Sequence, residues 1–227
     1  MESGFQTLEE VIGDESFPEV DLMLRRGRHI GRDDGLLYEF LVDAQPLLEF
    51  FYHRFSCELV QRSDGFFYLL PIGDRLGRRQ LSAGEMLVGQ TLALLYLDPS
   101  TLQHAGVVSR EDVLQRLSGL LGAERLFFAL HPRKQKYIEH TAGEAIRSQF
   151  SEVLRRLAEL GFIDLFEESR IRLRPALMRF ADPIRGLQDP QLALEQLIDR
   201  GELAVGNDGN DGNDGEENAK GEEGSEL

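Results

Sequence analysis

The residues able to do chemistry are few and scattered. Five histidines, His29, His53, His104, His131 and His140, show none of the spacings that bring imidazoles to one metal ion. Cys57 is the single cysteine. It stands beside Glu58 at a strand start with no base at hand, so it reads as a small buried hydrophobe rather than a nucleophile. His140 and Glu144 would share a helix face only if a helix began before Thr141, which is itself the better cap. No Walker loop, GxSxG elbow, HExxH pair or CxxC pair occurs. The stretch Gly27-Arg28-His29-Ile30-Gly31 sets glycines beside basic residues, but it lacks GxGxxG and no strand precedes it. It therefore makes no dinucleotide site. What remains is a basic knot of Arg25, Arg26, Arg28, His29 and Arg32, read as a structured loop whose arginines face water or a partner's surface. These residues assign no catalytic, cofactor or metal site, and the chain reads as no enzyme.

The second cationic cluster is larger. From Arg125 to Arg185 twelve Lys and Arg face eight acids, a local +4 inside a chain of net charge −15. An acidic protein with local basic patches is not a general polyanion binder. Within the cluster, Arg170, Arg172 and Arg174 alternate with Ile171 and Leu173 and fall on one side of a strand. Together with Lys134, Lys136, Arg147 and Arg155 they are the candidates for contact with a DNA backbone. Glu152 and Glu159 interrupt the basic face of the helix that carries Arg147 and Arg155, which argues against base-specific readout.

These side chains need elements to hold them. With 227 residues, 41% hydrophobic and 29% charged, the chain suits one large domain or two small ones with a real core. One cysteine excludes a disulfide framework and suits a reducing compartment. No apolar run approaches the ~18 residues of a membrane span, and Met1 to Glu10 shows no secretory signal. Residues 206 to 227 hold eight acids against Lys220, with three GND triplets from Gly206 to Asp214, and are expected to be a disordered acidic tail.

Helix starts are legible as capping boxes: Thr7 with Glu10, Ser82 with Glu85, Ser109 with Asp112, and Thr141 with Glu144. Behind Thr141, an apolar stripe of Ile146, Phe150, Val153, Leu157 and Leu160 predicts a helix over 142–160, stopped at Gly161. Strands at 162–167 and 170–174 follow, joined by a turn at Glu168–Ser169 and ended by Pro175. The first half repeats that order. A helical stretch runs over 36–55, with a kink or a new helix expected at Pro46. A hairpin of 57–62 and 66–71 around Asp64-Gly65 comes next. Helices at 82–97, 109–121 and Gln188 to Arg200 complete the second half, and 122–140 stays open between strand and short helix. Helices followed by a β-hairpin, twice, form a winged-helix pattern. The expected fold is mainly α with small β-hairpin wings: a winged-helix domain over 1–75, a second over 76–205, and the tail over 206–227.

Several runs also look like one family. Leu24 to Gly31, Leu48 to Phe55, Glu58 to Val60, Asp64 to Pro71, Leu81-Ser82, Glu85 to Gly89 and Leu95 to Pro99 resemble the chromosome-partition family MukE. The resemblance covers residues 18 to 200 and is densest from 22 to 100. It implies a tandem winged-helix, kleisin-associated protein with neither enzymatic activity nor cofactor, cytoplasmic and nucleoid-associated. It further implies a homodimer that clasps the kleisin MukF and through it joins the SMC-type ATPase MukB. The alternative from another class is a winged-helix transcriptional regulator, which needs one helix with a clean basic face.

Overall fold

Caps decide where the helices begin. In the computed structural model, whose described residues are 4–73, 80–134, 136–167 and 169–181, Thr7 and Glu10 close a reciprocal capping box on α1 (Leu8–Gly13). Ser82 and Glu85 do the same for α4 (Ala83–Leu97), and the Ser109 hydroxyl accepts from the Asp112 amide on α6 (Arg110–Leu121). Each box satisfies amides that the helix itself leaves free. The fourth does not form. Helix α8 (Glu139–Glu159) starts before Thr141, behind Ile138, and the Thr141 hydroxyl donates to the Ile138 carbonyl at 3.4 Å. Pro46 lies inside a continuous α3 (Leu36–His53), so no second helix starts there. Its missing N–H falls on an exposed stretch.

The first half sets α1 and α2 (Phe17–Arg25) before β1 (Ile30–Gly31), a 3-10 turn (Arg32–Asp34) and α3, then the hairpin of β2 (Cys57–Arg62) and β3 (Phe66–Pro71). The second half sets α4 and α5 (Pro99–Gln103) before β4 (Val107–Ser109). After it come α6, α7 (Ala123–Leu130), α8, and the hairpin of β5 (Ile163–Phe166) and β6 (Arg170–Leu173). A 3-10 turn (Pro175–Leu177) and α9 (Met178–Ala181) end the described chain. Both sheets are antiparallel and share one plan: the short strand before the helices pairs with the last strand, giving orders β1-β3-β2 and β4-β6-β5. The short strands β1 and β4 carry too few residues to show a period, and sequence patterning misses both. The open segment after Gly122 resolves as helix α7, which buries Leu126, Phe127, Ala129 and Leu130.

Two apolar cores result, and β3 belongs to both. Phe67 and Leu69 point into the first, with Tyr52, Leu41 and Leu48 of α3. Phe66 and Tyr68, on the opposite face, join the second, with Leu154 and Leu157 of α8. A strand with one core on each face ties the halves together. Within the second core, Gly89 on α4 lets the Phe180 ring approach so closely that a Cβ would stand 2.4 Å from it. Among the described residues no helix is long and apolar enough to cross a membrane. The expected helix at Gln188 to Arg200, the acidic tail and residues 74–79, across the expected boundary between the two domains, lie outside the described residues.

Candidate functional site

The basic knot sits at the seam between the halves, and its members divide. His29 is buried, its main-chain N–H donating to the Leu160 carbonyl at 2.9 Å. Its Nδ1 lies 2.8 Å from that same oxygen, and its Nε2 lies 2.8 Å from Nη1 of Arg179. A carbonyl only accepts and a guanidinium only donates, so the imidazole is neutral, with its proton on Nδ1. Burial, the charge of Arg179 and, less, that of Arg174 lower its pKa from 6.5 to about 3, against the pull of the Leu160 carbonyl. The ring packs 4.4 Å from that of Phe162 and 5.4 Å from that of Tyr68, and Arg179 lies 4.1 Å over Tyr68. Gly161 makes the approach feasible. It sits at φ +76°, and a Cβ there would stand 2.3 Å from the His29 carbonyl oxygen.

Arg28 reaches across the seam to the Ala158 carbonyl at 3.3 Å and approaches Asp34 at 3.5 Å. Neither His29 nor Arg28 therefore belongs to a free loop surface. Both are spent inside the molecule. Arg25 pairs with Asp21 at 2.8 Å on its own helix and lies 4.8 Å over the Phe55 ring. Arg26 and Arg32 are exposed, the latter folded over the Gly65 turn.

The wing arginines divide as well. Arg170 and Arg172 are exposed on β6, and Arg172 lies 5.3 Å over the Phe166 ring. Arg174 is only 2% exposed, contrary to the expected shared face. It lies just past the strand, where the alternation ends. There it ion-pairs with Asp34 of the first half and, at 3.5 Å, with Asp164 of β5. A side chain so enclosed touches no DNA. Lys134, Lys136, Arg147 and Arg155 are exposed; Lys134 lies over Phe127, and Arg155 pairs with Glu152 on its own helix. Sequence reasoning missed Asp34, Tyr68, Arg156 and Arg179, which the seam assembles from distant segments. The one available signal was Gly161, whose need for close approach was hidden behind its role as a helix stop.

Elsewhere the chemistry stays sparse. Cys57 is fully buried, its thiol directed at the Phe55 carbonyl at 3.6 Å and pushed up in pKa by burial. Among the described residues no group of three or more His, Cys, Asp or Glu could hold a metal ion.

The seam and the paired sheets thus define a mainly helical protein of two halves, each with a small antiparallel sheet, locked by arginine and histidine contacts. Comparison with known proteins gives the family. Residues 15–185 match the family model described as condensin complex protein MksE. The chromosome partition protein MukE of Haemophilus ducreyi is 36% identical over 194 residues, covering 82% of this chain and 79% of that protein. MukE of Histophilus somni is 36% identical over 206 residues, covering 87% and 81%. MukE of Yersinia pestis is 34% identical over 208 residues, covering 88% and 87%. The chain belongs to the MksE/MukE family of condensin-complex and chromosome-partition proteins.

Proposed function

We infer that this chain is a non-enzymatic subunit of an SMC-type condensin complex, acting in chromosome condensation and partition. It binds the kleisin MukF, and through it the ATPase MukB, as a homodimer on the nucleoid in the cytoplasm. The observation that carries the reading is the family match over residues 15–185, in relatives named for chromosome partition. The repeated sheet plan, β1-β3-β2 and β4-β6-β5, supports two winged-helix units, 1–75 and 76–205, followed by a tail at 206–227. It is the strand order that a short strand, helices and a hairpin wing produce.

Within that reading the basic knot contributes Arg25, Arg26 and Arg32 to a partner surface, Arg28 and His29 being spent at the seam. Exposed apolar residues supply a further motive for association: Phe50 is 64% and Phe55 43% exposed on the first half. Contacts to a DNA backbone in the assembled complex fall to Arg170, Arg172, Lys134, Lys136, Arg147 and Arg155. The regulator alternative is less well supported, because the exposed face of α8 pairs Arg155 with Glu152 and carries the exposed Glu159 beside them.

Co-expression with a candidate kleisin, followed by size exclusion with mass measurement, tests the reading. The expected species contains two copies of this chain bound to kleisin. A monomer that ignores the kleisin but shifts palindromic operator DNA would overturn it.

A further inference from the structure

The described chain ends at Ala181, directly after two residues, Arg179 and Phe180, that line a groove of about 690 Å³ along the seam. Arg25, Arg26 and Arg156 line it as well, and among the described residues no carboxylate does, in a chain of net charge −15. Arg156 gives one nitrogen to Glu159 at 2.7 Å, while its Nε and Nη2 are buried without a hydrogen-bond partner among the described residues. Buried guanidinium donors left unmatched are costly, and an arriving carboxylate relieves them. The wall is apolar. Leu70 and Ile72, 40% and 50% exposed, both line the groove.

That wall is also a strand edge. β1 pairs with β3 only at Ile30↔Phe67 and Gly31↔Phe66, so from Tyr68 to Leu70 the described strands cover β3 on its β2 side alone. The Ile72 amide donates to the Ser56 carbonyl on the β2 side, and the two-residue alternation then turns the N–H and C=O of Leu69 away from β2. An apolar edge left open is a hazard, because any other extended chain can pair with it.

The chain's own sequence past Ala181 carries the matching chemistry. Residues 201–217 hold six acids, Glu202, Asp208, Asp211, Asp214, Glu216 and Glu217, and no basic residue. Leu203 and Val205 stand two apart, so in an extended chain they fall on one side, as Leu70 and Ile72 do on theirs. The twenty residues from 182 to 201 span about 25 Å on average as a flexible linker, enough to return the segment to a groove that begins beside Phe180. We propose that residues 201–217 fold back onto this groove as an intramolecular cover, with Leu203 and Val205 against the β3 edge and the acids against the arginines. The cover neutralises the cations and closes the edge to other chains. A partner that uses Arg25 and Arg26 must first displace it, a consequence that rests on the functional reading above; the contact itself does not. DNA is the poorer occupant, since an apolar wall offers phosphates nothing and the charge of the whole chain repels a polyanion.

The test uses the full chain alone, without kleisin, so its outcome is separate from that of the functional reading. Benzoylphenylalanine placed at position 70 should cross-link to a residue within 201–217, and mixing isotope-labelled with unlabelled protein should show the link to lie within one chain. A second full-length variant carries Glu202→Gln, Leu203→Ser, Val205→Ser, Asp208→Asn, Asp211→Asn and Asp214→Asn. A synthetic peptide of residues 201–217 should bind this variant about tenfold or more tighter than the wild type, whose tethered copy competes at an effective concentration of order 1 mM. Arg26→Glu added to the variant should weaken the peptide about three- to tenfold and reduce its salt dependence. Circular dichroism unchanged between the proteins keeps folding out of the comparison, and the cross-link needs no change in the segment at all. Equal affinity of the peptide for wild type and variant, or no binding to either, overturns the inference. So does a cross-link from position 70 that joins two copies or reaches no residue of 201–217.

Discussion

Replacing Gly161 by alanine should destabilise the protein far more than one methyl group suggests. The residue sits at φ +76°, where an L side chain costs about 1–2 kcal/mol. The new Cβ would stand 2.3 Å from the His29 carbonyl oxygen, a main-chain atom that no side-chain rotation can move aside. Ordinary contact requires a shift of about 1 Å in one of the two main-chain segments. That shift stretches the two bonds converging on the Leu160 carbonyl, from the His29 amide at 2.9 Å and from Nδ1 at 2.8 Å. At about 1 kcal/mol each, and with the backbone cost, the total is about 3–4 kcal/mol. Gly119→Ala is the control, because a Cβ there meets nothing within 4 Å in the helix α6. It should stabilise by about 0.5–1 kcal/mol through helix propensity. Urea unfolding of both variants, with m-values compared to verify a common two-state transition, reads the difference directly. If Gly161→Ala unfolds within about 0.5 kcal/mol of the wild type, the close packing of His29 against the end of α8 does not hold the halves together.

Other perturbations address the same seam and the wing. His29 has a folded pKa of about 3 against 6.5 unfolded, so its contribution is complete above 6.5 and drains as the pH falls toward 3. By pH 5 the loss should reach about 2 kcal/mol in wild type; His29→Gln should lack that component, and parallel pH profiles of the two proteins would refute the assignment. Arg174→Ala should cost about 3–5 kcal/mol, because Asp34 and Asp164 lose the cation between them, and a melting temperature equal to wild type would show the pairing to be idle. Arg170→Glu with Arg172→Glu should weaken DNA binding by the assembled complex without regard to sequence and lower its salt slope by about 2, while kleisin binding survives. An unchanged slope would return both arginines to the role of solvated strand residues.

Local rules carried the sequence reading a long way. Thr7, Ser82 and Ser109 mark helix starts because a cap needs only residues three apart in the chain. The hairpin around Asp64-Gly65 falls where alternation and turn chemistry place it, and Cys57↔Pro71 through Arg62↔Phe66 fix its register. Thr141 is no cap because helix α8 already begins at Glu139, and the Thr141 hydroxyl turns back to the Ile138 carbonyl instead of accepting from the first turn. The strands β1 and β4 were illegible for a plainer reason: two or three residues hold no period, and their pairing partners lie far along the chain.

The candidate site divides along the same line. Composition, the scarcity of paired histidines and the position of basic residues outside any catalytic spacing are properties of sequence alone, and so is the family, which rests on residue order. Which basic side chains remain available is not. Arg172 and Arg174 look equivalent two residues apart, yet one is exposed and the other buried between two aspartates, one of them from the first half. His29 reads as a loop residue until Gly161, Phe162 and Arg179 arrive from the far half and enclose it. The unbroken apolar run from Phe66 to Pro71 suits a strand covered on both faces, but it does not show that each face serves a different core. Hydrophobic period and capping act over a few residues, so the sequence carries them openly. Burial and charge pairing depend on what packs from a distance, and only the folded chain decides them.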